Sequence, residues 1–323
     1  YTAYQSLAGA PDWGRKQSAG NYRWFIDYYL DEMKKAEKSD GRRLLDVLDI
    51  HYYTEAKGEC GQRFCSHYDR DGCVKARLDS VRSLFEEGFL ENSWIADNGA
   101  EFFPLIQNIQ QSIDQYYPGT KLAFTEYNFG GGDHISGGVC QADVLGIFAE
   151  NGVYFSSLWS FDQNQYQLAA INMFTNYDGR GSGFGKTLVK SESSDRNTVS
   201  AYSATDENGD LHVILTNKSL HEKTPISLTI GGETGYSCAE VYELYGDSTD
   251  IRSADPAELD GRVLEYSLKP LSVTELVFKA PQLEQLPEEQ PDKNGFPVIP
   301  AAVGAGIAVA AAIAVALIKI KQS

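Results

Sequence analysis

The sequence predicts an α/β region, then an antiparallel β-sandwich, and finally one C-terminal transmembrane helix. Strand-like and helix-like segments alternate over residues 1–186, which is typical of βαβ units that build a parallel sheet. Short strands separated by turn residues fill residues 187–279, which is typical of a sandwich. An uncharged run near the C-terminus, residues 299–318, is long enough to cross a bilayer.

The composition indicates a folded protein that does not bind nucleic acid. Hydrophobic residues make up 42% of the 323 residues, which is enough for a core. Lys and Arg number 28 against 45 Asp and Glu, so the formal charge of −17 would repel a phosphate backbone. Aromatic residues reach 12% and suit hydroxyl-rich ligands such as sugars, although filling a core is their commoner use.

The α/β region contains three predicted strands and four predicted helices. Apolar residues recur at helical spacing, as Phe25, Tyr29 and Met33 do, whereas the first strand is apolar enough to be buried on both faces. The stretch after that strand is predicted to be a long loop. Three strands do not close a barrel, so the region is either a small open sheet or the last part of an eight-stranded barrel, which needs ~250 residues. The helices are predicted over 21–38, 102–117, 139–150 and 167–175, and the strands over 44–53, 121–129 and 153–161.

The sandwich is predicted from five short strands with turn signals such as Asn208-Gly209 between them. The acidic residues Asp206, Glu207 and Asp210 either hold a structural calcium ion or belong to a solvated turn. The strands are predicted over 198–204, 211–216, 226–230, 239–245 and 273–278.

The C-terminal residues predict attachment to a membrane. Residues 280–298 are acidic and contain proline, which is typical of a linker. Lys319 and Lys321 follow the apolar run, so residues 319–323 are predicted to be cytoplasmic, with the rest of the chain outside at the cell surface. The alternative is a buried Ala-rich helix of a soluble domain.

Five cysteines suit an outside location. Cys60, Cys65 and Cys73 cluster in a polar stretch, whereas Cys140 and Cys238 stand alone. A local disulfide in the cluster is favoured, and a surface loop without a role is the next alternative. A zinc loop that includes His67 is disfavoured because the spacing matches no standard zinc pattern.

Carboxylates at the ends of the predicted strands are the candidates for chemistry. Glu126 ends an apolar strand before a glycine-rich loop, at the edge where βα architectures place active sites, so it is a candidate nucleophile or general acid. A solvated Glu at a strand end is the equally favoured alternative. The loop at 130–138 is expected to be a mobile lip over the site.

The two neighbouring strands supply candidate ligand-binding residues. A period of two places Asp49, His51 and Tyr53 on one face, where they could orient a carboxylate or stack on a sugar. Trp159, near the end of the third strand, offers a flat stacking surface. For Asp49, His51 and Trp159, burial in the core is the competing interpretation.

Several segments of the chain resemble glycoside hydrolase family 44, the endoglucanases and xyloglucanases. The likeness runs from about Tyr1 to Lys279 and leaves out the linker and the apolar run. The segments that carry it are 46–53, 112–121, 125–138, 141–148 and 176–179.

The resemblance implies a (β/α)8 barrel with a β-sandwich and a retaining mechanism on β-1,4-glucans that requires no cofactor. The strands beginning at 44, 121 and 153 would be the sixth to eighth of the barrel, with Glu126 the nucleophile. Tyr53, Tyr127 and Trp159 would line the substrate cleft, with Asp49 and His51 beside them.

The family's acid/base Glu lies in an Asn-Glu-Pro segment that is absent here and is expected upstream of Tyr1. We therefore expect this polypeptide alone to be inactive, since retaining hydrolysis needs two carboxyl groups ~5–5.5 Å apart.

The leading hypothesis is a membrane-anchored β-glucan hydrolase at the cell surface. The alternative is a non-catalytic, surface-anchored protein that binds carbohydrate or acts in adhesion. A structural surface protein without a sugar site is a third, weaker hypothesis.

Overall fold

In the computed structural model, the described residues are 7–8, 20–59, 61, 69–160, 163–281 and 315–321. The helices within them are α1 (Phe25–Asp40), α2 (Asp71–Ser80), α3 (Trp94–Gly99), α4 (Leu105–Tyr116), α5 (Ile135–Glu150) and α6 (Gln165–Thr175). The strands are β1 (Val47–Tyr53), β2 (Lys121–Asn128), β3 (Phe155–Leu158), β4 (Thr187–Ser193), β5 (Val199–Thr205), β6 (Leu211–Asn217), β7 (Thr224–Ile230), β8 (Cys238–Tyr245), β9 (Arg252–Glu258), β10 (Val263–Leu268), β11 (Ser272–Phe278) and β12 (Val315–Ile320).

A three-stranded parallel sheet in the order β1-β2-β3 forms the α/β region, as predicted. The prediction that β1 is buried on both faces is wrong. Leu48, Ile50 and Tyr52 are buried among the helices, whereas the residues between them are only half-buried. The second face of β1 therefore carries the polar side chains Asp49 and His51.

The stretch predicted to be a long loop contains α2 and α3. The pattern hid α2 because Arg77, which is 2% exposed, lies on its buried face beside Val74 and Leu78. A buried guanidinium breaks the apolar periodicity by which a helix is found in a sequence.

The sandwich is one continuous sheet of nine strands, in the order β10-β7-β12-β4-β5-β6-β11-β8-β9. It folds over a core that includes Val213, Leu228, Leu264 and Phe278. All five predicted strands are present, and β4, β9, β10 and β12 are additional.

A membrane-spanning helix is predicted over 299–318, but residues 315–318, the part of this range that the structure describes, are not helical. Residues 315–320 form β12, which pairs in parallel with β4 and antiparallel with β7. Ala316 and Ile318 are buried, while Leu317 and Lys319 are exposed, so this segment has the period of two of a strand. Residues 299–314 lie outside the described residues. The described residues contain no helix that is both long and apolar enough to span a membrane.

Helix α5 contacts both the parallel sheet and the sandwich and is buried on nearly all sides. It packs against the parallel sheet through Phe148, whose ring stacks on Phe124, and against the outer face of the sandwich through Asp143. The Asp143 carboxylate lies 2.7 Å from the Lys218 ammonium of the sandwich and accepts a hydrogen bond from the Tyr202 hydroxyl.

The cysteines divide between bonded and free. Cys73 is disulfide-bonded, while Cys140 is free and buried and Cys238 is free and exposed. Cys60 and Cys65 lie outside the described residues.

Candidate active site

The carboxyl ends of β1 and β2 lie side by side and bring the predicted site residues together. The two strands are parallel, and His51 pairs with Glu126 in the register. Asp49, His51 and Tyr53 share the face of β1 that is only half-buried, as the period of two predicts.

An irregularity in β2 places two consecutive side chains on this face. Between Asp49 and His51 the register shifts by one residue, so β2 holds an extra residue near Thr125. The pairing with β3 shifts at the same place, between Phe124 and Tyr127. A bulge of this kind re-aims side chains that would otherwise point to opposite faces. Thr125 and Glu126 therefore both reach the polar residues of β1.

Two side chains of β1 hold the carboxylate of Glu126. The Tyr53 hydroxyl donates to Glu126 Oε2 at 3.2 Å. His51 Nδ1 also lies 3.2 Å from Glu126 Oε2. The Glu126 side chain is 31% exposed, so it remains open on one side while these contacts limit its rotation.

Asp49 is the second carboxylate at this edge, and its contacts are with the neighbouring strand. The amide and hydroxyl of Thr125 donate to its two oxygens, at 3.0 and 2.5 Å. His51 Nε2 lies 3.6 Å from Asp49 Oδ2. The imidazole of His51 thus bridges two carboxylates, with Asp49 on one side and Glu126 on the other.

Asn128 fixes the chain where β2 ends. Its side-chain amide donates to the Trp159 carbonyl at 2.7 Å, and its oxygen accepts from the Gly130 amide at 2.6 Å and from Gln167 at 2.9 Å. This buried residue therefore joins β2, the end of β3, the glycine loop and α6.

The glycine-rich segment is packed rather than lying as a lip over the site. Residues 130–132 are buried, and residues 135–138 form the first turn of α5. A Cβ atom on Gly131 would lie 2.6 Å from the Arg77 guanidinium, and one on Gly137 would lie 1.9 Å from the Gly131 carbonyl oxygen. The glycines are needed here because backbone and side chains approach closely.

The two other predicted aromatic contacts have different outcomes. Trp159 is 51% exposed beyond the end of β3, and its amide bonds to the Tyr127 carbonyl. Tyr127 is 1% exposed, because its ring packs edge-on against Phe148 and its hydroxyl accepts from Gln141 at 2.7 Å. The prediction that Tyr127 lines the cleft is wrong, since its side chain points into the helix layer.

Sequence reasoning missed Thr125, Asn128 and Arg77. A β-bulge has no sequence signal of its own, so the Thr125 contact with Asp49 could not be read from a regular strand. The buried Asn128 directly precedes a glycine-rich turn, and that position was the available signal.

The acidic residues proposed for calcium form a turn. Asp206 accepts hydrogen bonds from the amides of Asn208 and Asp210, and Glu207 pairs with Lys186. Nowhere in the described ranges do three or more His, Cys, Asp or Glu side chains form a group that could hold a metal ion.

Comparisons with known proteins agree with this architecture. Residues 1–56 match the sequence profile of glycoside hydrolase family 44. The chain is 43% identical to endoglucanase A of Paenibacillus lautus over 291 residues, covering 88% of this chain and 41% of that protein. It is 40% identical to the beta-mannanase/endoglucanase A of Caldicellulosiruptor saccharolyticus over 267 residues, covering 78% of this chain and 20% of that protein.

Solved structures give the same result in three dimensions. The family 44 endoglucanase of Clostridium thermocellum superposes with a TM-score of 0.81 at 42% identity, over 86% of this chain and 56% of that one. A Paenibacillus polymyxa xyloglucanase of family 44, solved with xyloglucan, superposes with a TM-score of 0.79 at 37% identity, over 86% and 55%. The chain thus spans less than half of these curated relatives and about half of these solved chains.

Proposed function

We propose that this chain belongs to glycoside hydrolase family 44 and that it carries the nucleophile half of a retaining β-1,4-glucan hydrolase. Glu126 is the proposed nucleophile, and Asp49, His51, Tyr53 and Trp159 are the proposed residues of the substrate site. The observation that carries the proposal is the pair of contacts that hold Glu126 Oε2, from Tyr53 and His51, at the carboxyl end of a parallel strand.

The geometry suits a carboxylate that attacks a carbon atom. A nucleophile must keep one oxygen free in a fixed position, and the two contacts with β1 both fall on Oε2, which leaves Oε1 for attack. In the proposed step, Glu126 Oε1 forms a bond to the anomeric carbon while the glycosidic C–O bond breaks. The bonding electrons leave with the departing oxygen, which a second carboxyl group must protonate.

That second carboxyl group is proposed to lie outside the present sequence. Asp49 on β1 and Glu55 just after it are the nearby carboxyl groups to consider. Both oxygens of Asp49 accept hydrogen bonds from Thr125, and Glu55 is buried with 8% of its surface exposed, so neither is placed to protonate a leaving group. We propose that the acid/base Glu belongs to a part of the whole protein upstream of Tyr1. The present polypeptide would then form a glycosyl-enzyme only when the leaving group needs no proton.

A mechanism-based reagent tests the nucleophile without the missing acid. 2,4-Dinitrophenyl 2-deoxy-2-fluoro-β-cellobioside has a leaving group that departs as a stable anion. Its fluorine slows hydrolysis of the glycosyl-enzyme, so the adduct accumulates. We expect a burst of dinitrophenolate and a matching mass increase on the tryptic peptide that contains Glu126. Glu126→Gln should remain unlabelled.

The same reagent distinguishes the competing hypotheses. Failure of the folded chain to be labelled, together with sugar binding that survives Glu126→Gln, would favour the non-catalytic binding protein. Hydrolysis of xyloglucan or carboxymethylcellulose by the chain itself, lost in Glu126→Gln, would contradict the proposal that the acid/base lies elsewhere.

The substrate is proposed to be a β-1,4-glucan such as xyloglucan or cellulose. Endoglucanase and xyloglucanase are among the names of the relatives, one of which is also named a beta-mannanase, and the Glu126 side chain is partly exposed to a ligand. Comparing labelling protection by xyloglucan and cello-oligosaccharides would identify the preferred glucan.

The location is proposed to be extracellular. A β-glucan polymer cannot cross a membrane, and the Cys73 disulfide is typical of an oxidising compartment. Attachment through residues 299–318 remains a proposal, and it requires residues 315–318 to leave β12. Sedimentation of the full chain with lipid vesicles tests it, because a chain that stays in the supernatant would contradict attachment. No cofactor is proposed for the reaction, and a structural calcium ion remains a prediction.

A further inference from the structure

A polar groove of about 390 Å³ lies between the α/β region and the sandwich. One wall is the last turn of α6 with the loop after it, and the other is the β8–β9 pair with the turn between its strands. We call it the tyrosine groove. Six of its lining residues matter to the argument: Asn172, Asn176, Tyr177, Tyr242, Thr249 and Ser253.

The tyrosine groove is separate from the proposed catalytic residues. Helix α6 begins beside the glycine loop, where the Tyr166 amide bonds to the Gly132 carbonyl. Its 11 residues extend roughly 16 Å. The groove adjoins the other end of α6, so a ligand in it would not contact Glu126.

The lining has the chemistry that binds neutral carbohydrate. The partly exposed ring of Tyr242 provides apolar surface for the C–H face of a sugar, and the buried ring of Tyr177 supports it at 4.7 Å and 56°. Asn172, Thr249 and Ser253 add amide and hydroxyl groups around them, which match sugar hydroxyls in donor and acceptor capacity. The volume lies within the range of small-molecule sites.

Two carboxylates, Asp178 and Asp250, also line the groove, and each accepts hydrogen bonds from its own loop. The Tyr177 ring lies 5.8 Å from His212, whose Nδ1 is 3.0 Å from Glu275 Oε1. Both residues are buried, and burial raises the pKa of the Glu275 carboxyl and lowers that of His212. The described residues also form no metal-binding group here. The two carboxylates disfavour an anion and can accept hydrogen bonds from hydroxyl groups, so a neutral, hydroxyl-bearing ligand is the class that fits.

The wall formed by the loop is held by its own hydrogen bonds. Asp178 accepts from the amides of Arg180 and Ser182 and from the Ser182 hydroxyl, and Asn176 accepts from the Gly181 amide. These contacts fix the loop without a ligand, which lowers the entropy lost on binding.

We propose that the tyrosine groove is a second carbohydrate-binding site, which holds a short stretch of a β-glucan chain outside the catalytic cleft. The choice of β-glucan rests on the proposed function. A second site would retain the protein on its polymeric substrate through two linked contacts.

Native affinity electrophoresis of the full chain in gels containing xyloglucan or hydroxyethylcellulose tests the proposal. Tyr242→Ala removes the more exposed ring, and Ser253→Arg fills the groove, since Ser253 pairs with Tyr242 across β8 and β9. Each should raise the apparent Kd about fivefold to tenfold. Tyr245→Ala is the matched control, because Tyr245 lies on the opposite face of β8 and should bind like the unaltered chain.

Two results would overturn the proposal. One is equal retardation of Tyr242→Ala, Ser253→Arg and the unaltered chain, or no retardation of any of them. The other is complete loss of retardation in Trp159→Ala, which would assign all binding to the catalytic cleft. Failure of the proposed function is recognised separately, because it is the absence of labelling at Glu126 in the unaltered chain.

Discussion

His51 Nδ1 lies 3.2 Å from Glu126 Oε2, and on its other side His51 Nε2 lies 3.6 Å from Asp49 Oδ2. A ring between two carboxylates can orient one of them only if its own position is fixed. Asp49 is itself fixed by two hydrogen bonds from Thr125 on the neighbouring strand. The position of the proposed nucleophile thus depends on residues of both strands.

Removing the imidazole should slow attack by Glu126. We expect His51→Ala to lower the rate constant for labelling by the fluorinated cellobioside about tenfold to a hundredfold, because the carboxylate loses one of its two orienting contacts. Stopped-flow detection of dinitrophenolate at saturating reagent measures this constant. Tyr53→Phe is the matched variant, since it deletes the hydroxyl that makes the other contact and should slow labelling in the same way. An unchanged rate in both variants would contradict a positioning role for these contacts.

The hydroxyl of Thr125 should matter although it does not touch Glu126. We expect Thr125→Val, which keeps the side-chain shape, to lower the free energy of unfolding by about 1 kcal/mol and to slow labelling. Thr125→Ser restores the donor to Asp49 and should recover the labelling rate. Urea unfolding and labelling kinetics of the two variants check this. A Ser variant as slow as the Val variant would show that the hydroxyl is not the cause.

Strand periodicity in the sequence correctly predicted which β1 side chains share a face, and a local irregularity hid the arrangement on β2. Alternation correctly placed Asp49, His51 and Tyr53 on one face of β1. The same rule fails on β2, where the bulge turns Thr125 and Glu126 together toward β1. Bulges depend on pairing with both neighbouring strands, which is information that one segment does not contain.

Burial also separates predictions that look alike in the sequence. Tyr53 and Tyr127 are both tyrosines near strand ends, yet only Tyr53 contacts Glu126. The ring of Tyr127 fills space beside Phe148 in the helix layer, which depends on where α5 packs. At the C-terminus, hydropathy alone could not distinguish a membrane helix from β12, because Val, Ala, Leu and Ile suit both.

The ion pair between Asp143 of α5 and Lys218 of the sandwich should make the free energy of unfolding depend on pH in the acid range. Burial raises the pKa of the Asp143 carboxyl, but the Lys218 ammonium at 2.7 Å and the Tyr202 hydroxyl outweigh it, so the pKa lies below its usual range. A lowered folded-state pKa contributes stability above the unfolded value of about 3.9, and this is lost as the pH falls through the folded value.

Asp143→Asn tests that pH dependence. The substitution should lower the free energy of unfolding by about 3–5 kcal/mol at pH 7, because it leaves the Lys218 ammonium buried without its carboxylate. The difference in the free energy of unfolding between this variant and the unaltered chain should become smaller below pH 4. Urea unfolding between pH 7 and pH 3 measures it, with the exposed Asp114→Asn as the control. A difference that stays constant with pH would contradict the assignment to ionised Asp143.

Close packing between α5 and the sandwich should make Gly146 intolerant of a methyl group. A Cβ atom there would lie 2.3–2.4 Å from three ring carbons of Tyr202, and this ring cannot move freely because its hydroxyl donates to Asp143. We expect Gly146→Ala to lower the free energy of unfolding by about 1–3 kcal/mol, despite the higher helix propensity of Ala. Gly235→Ala, which has no atom within 4 Å of the added carbon, should not destabilise the protein. Equal stability of the two variants in urea would mean that α5 shifts away from Tyr202 at little cost.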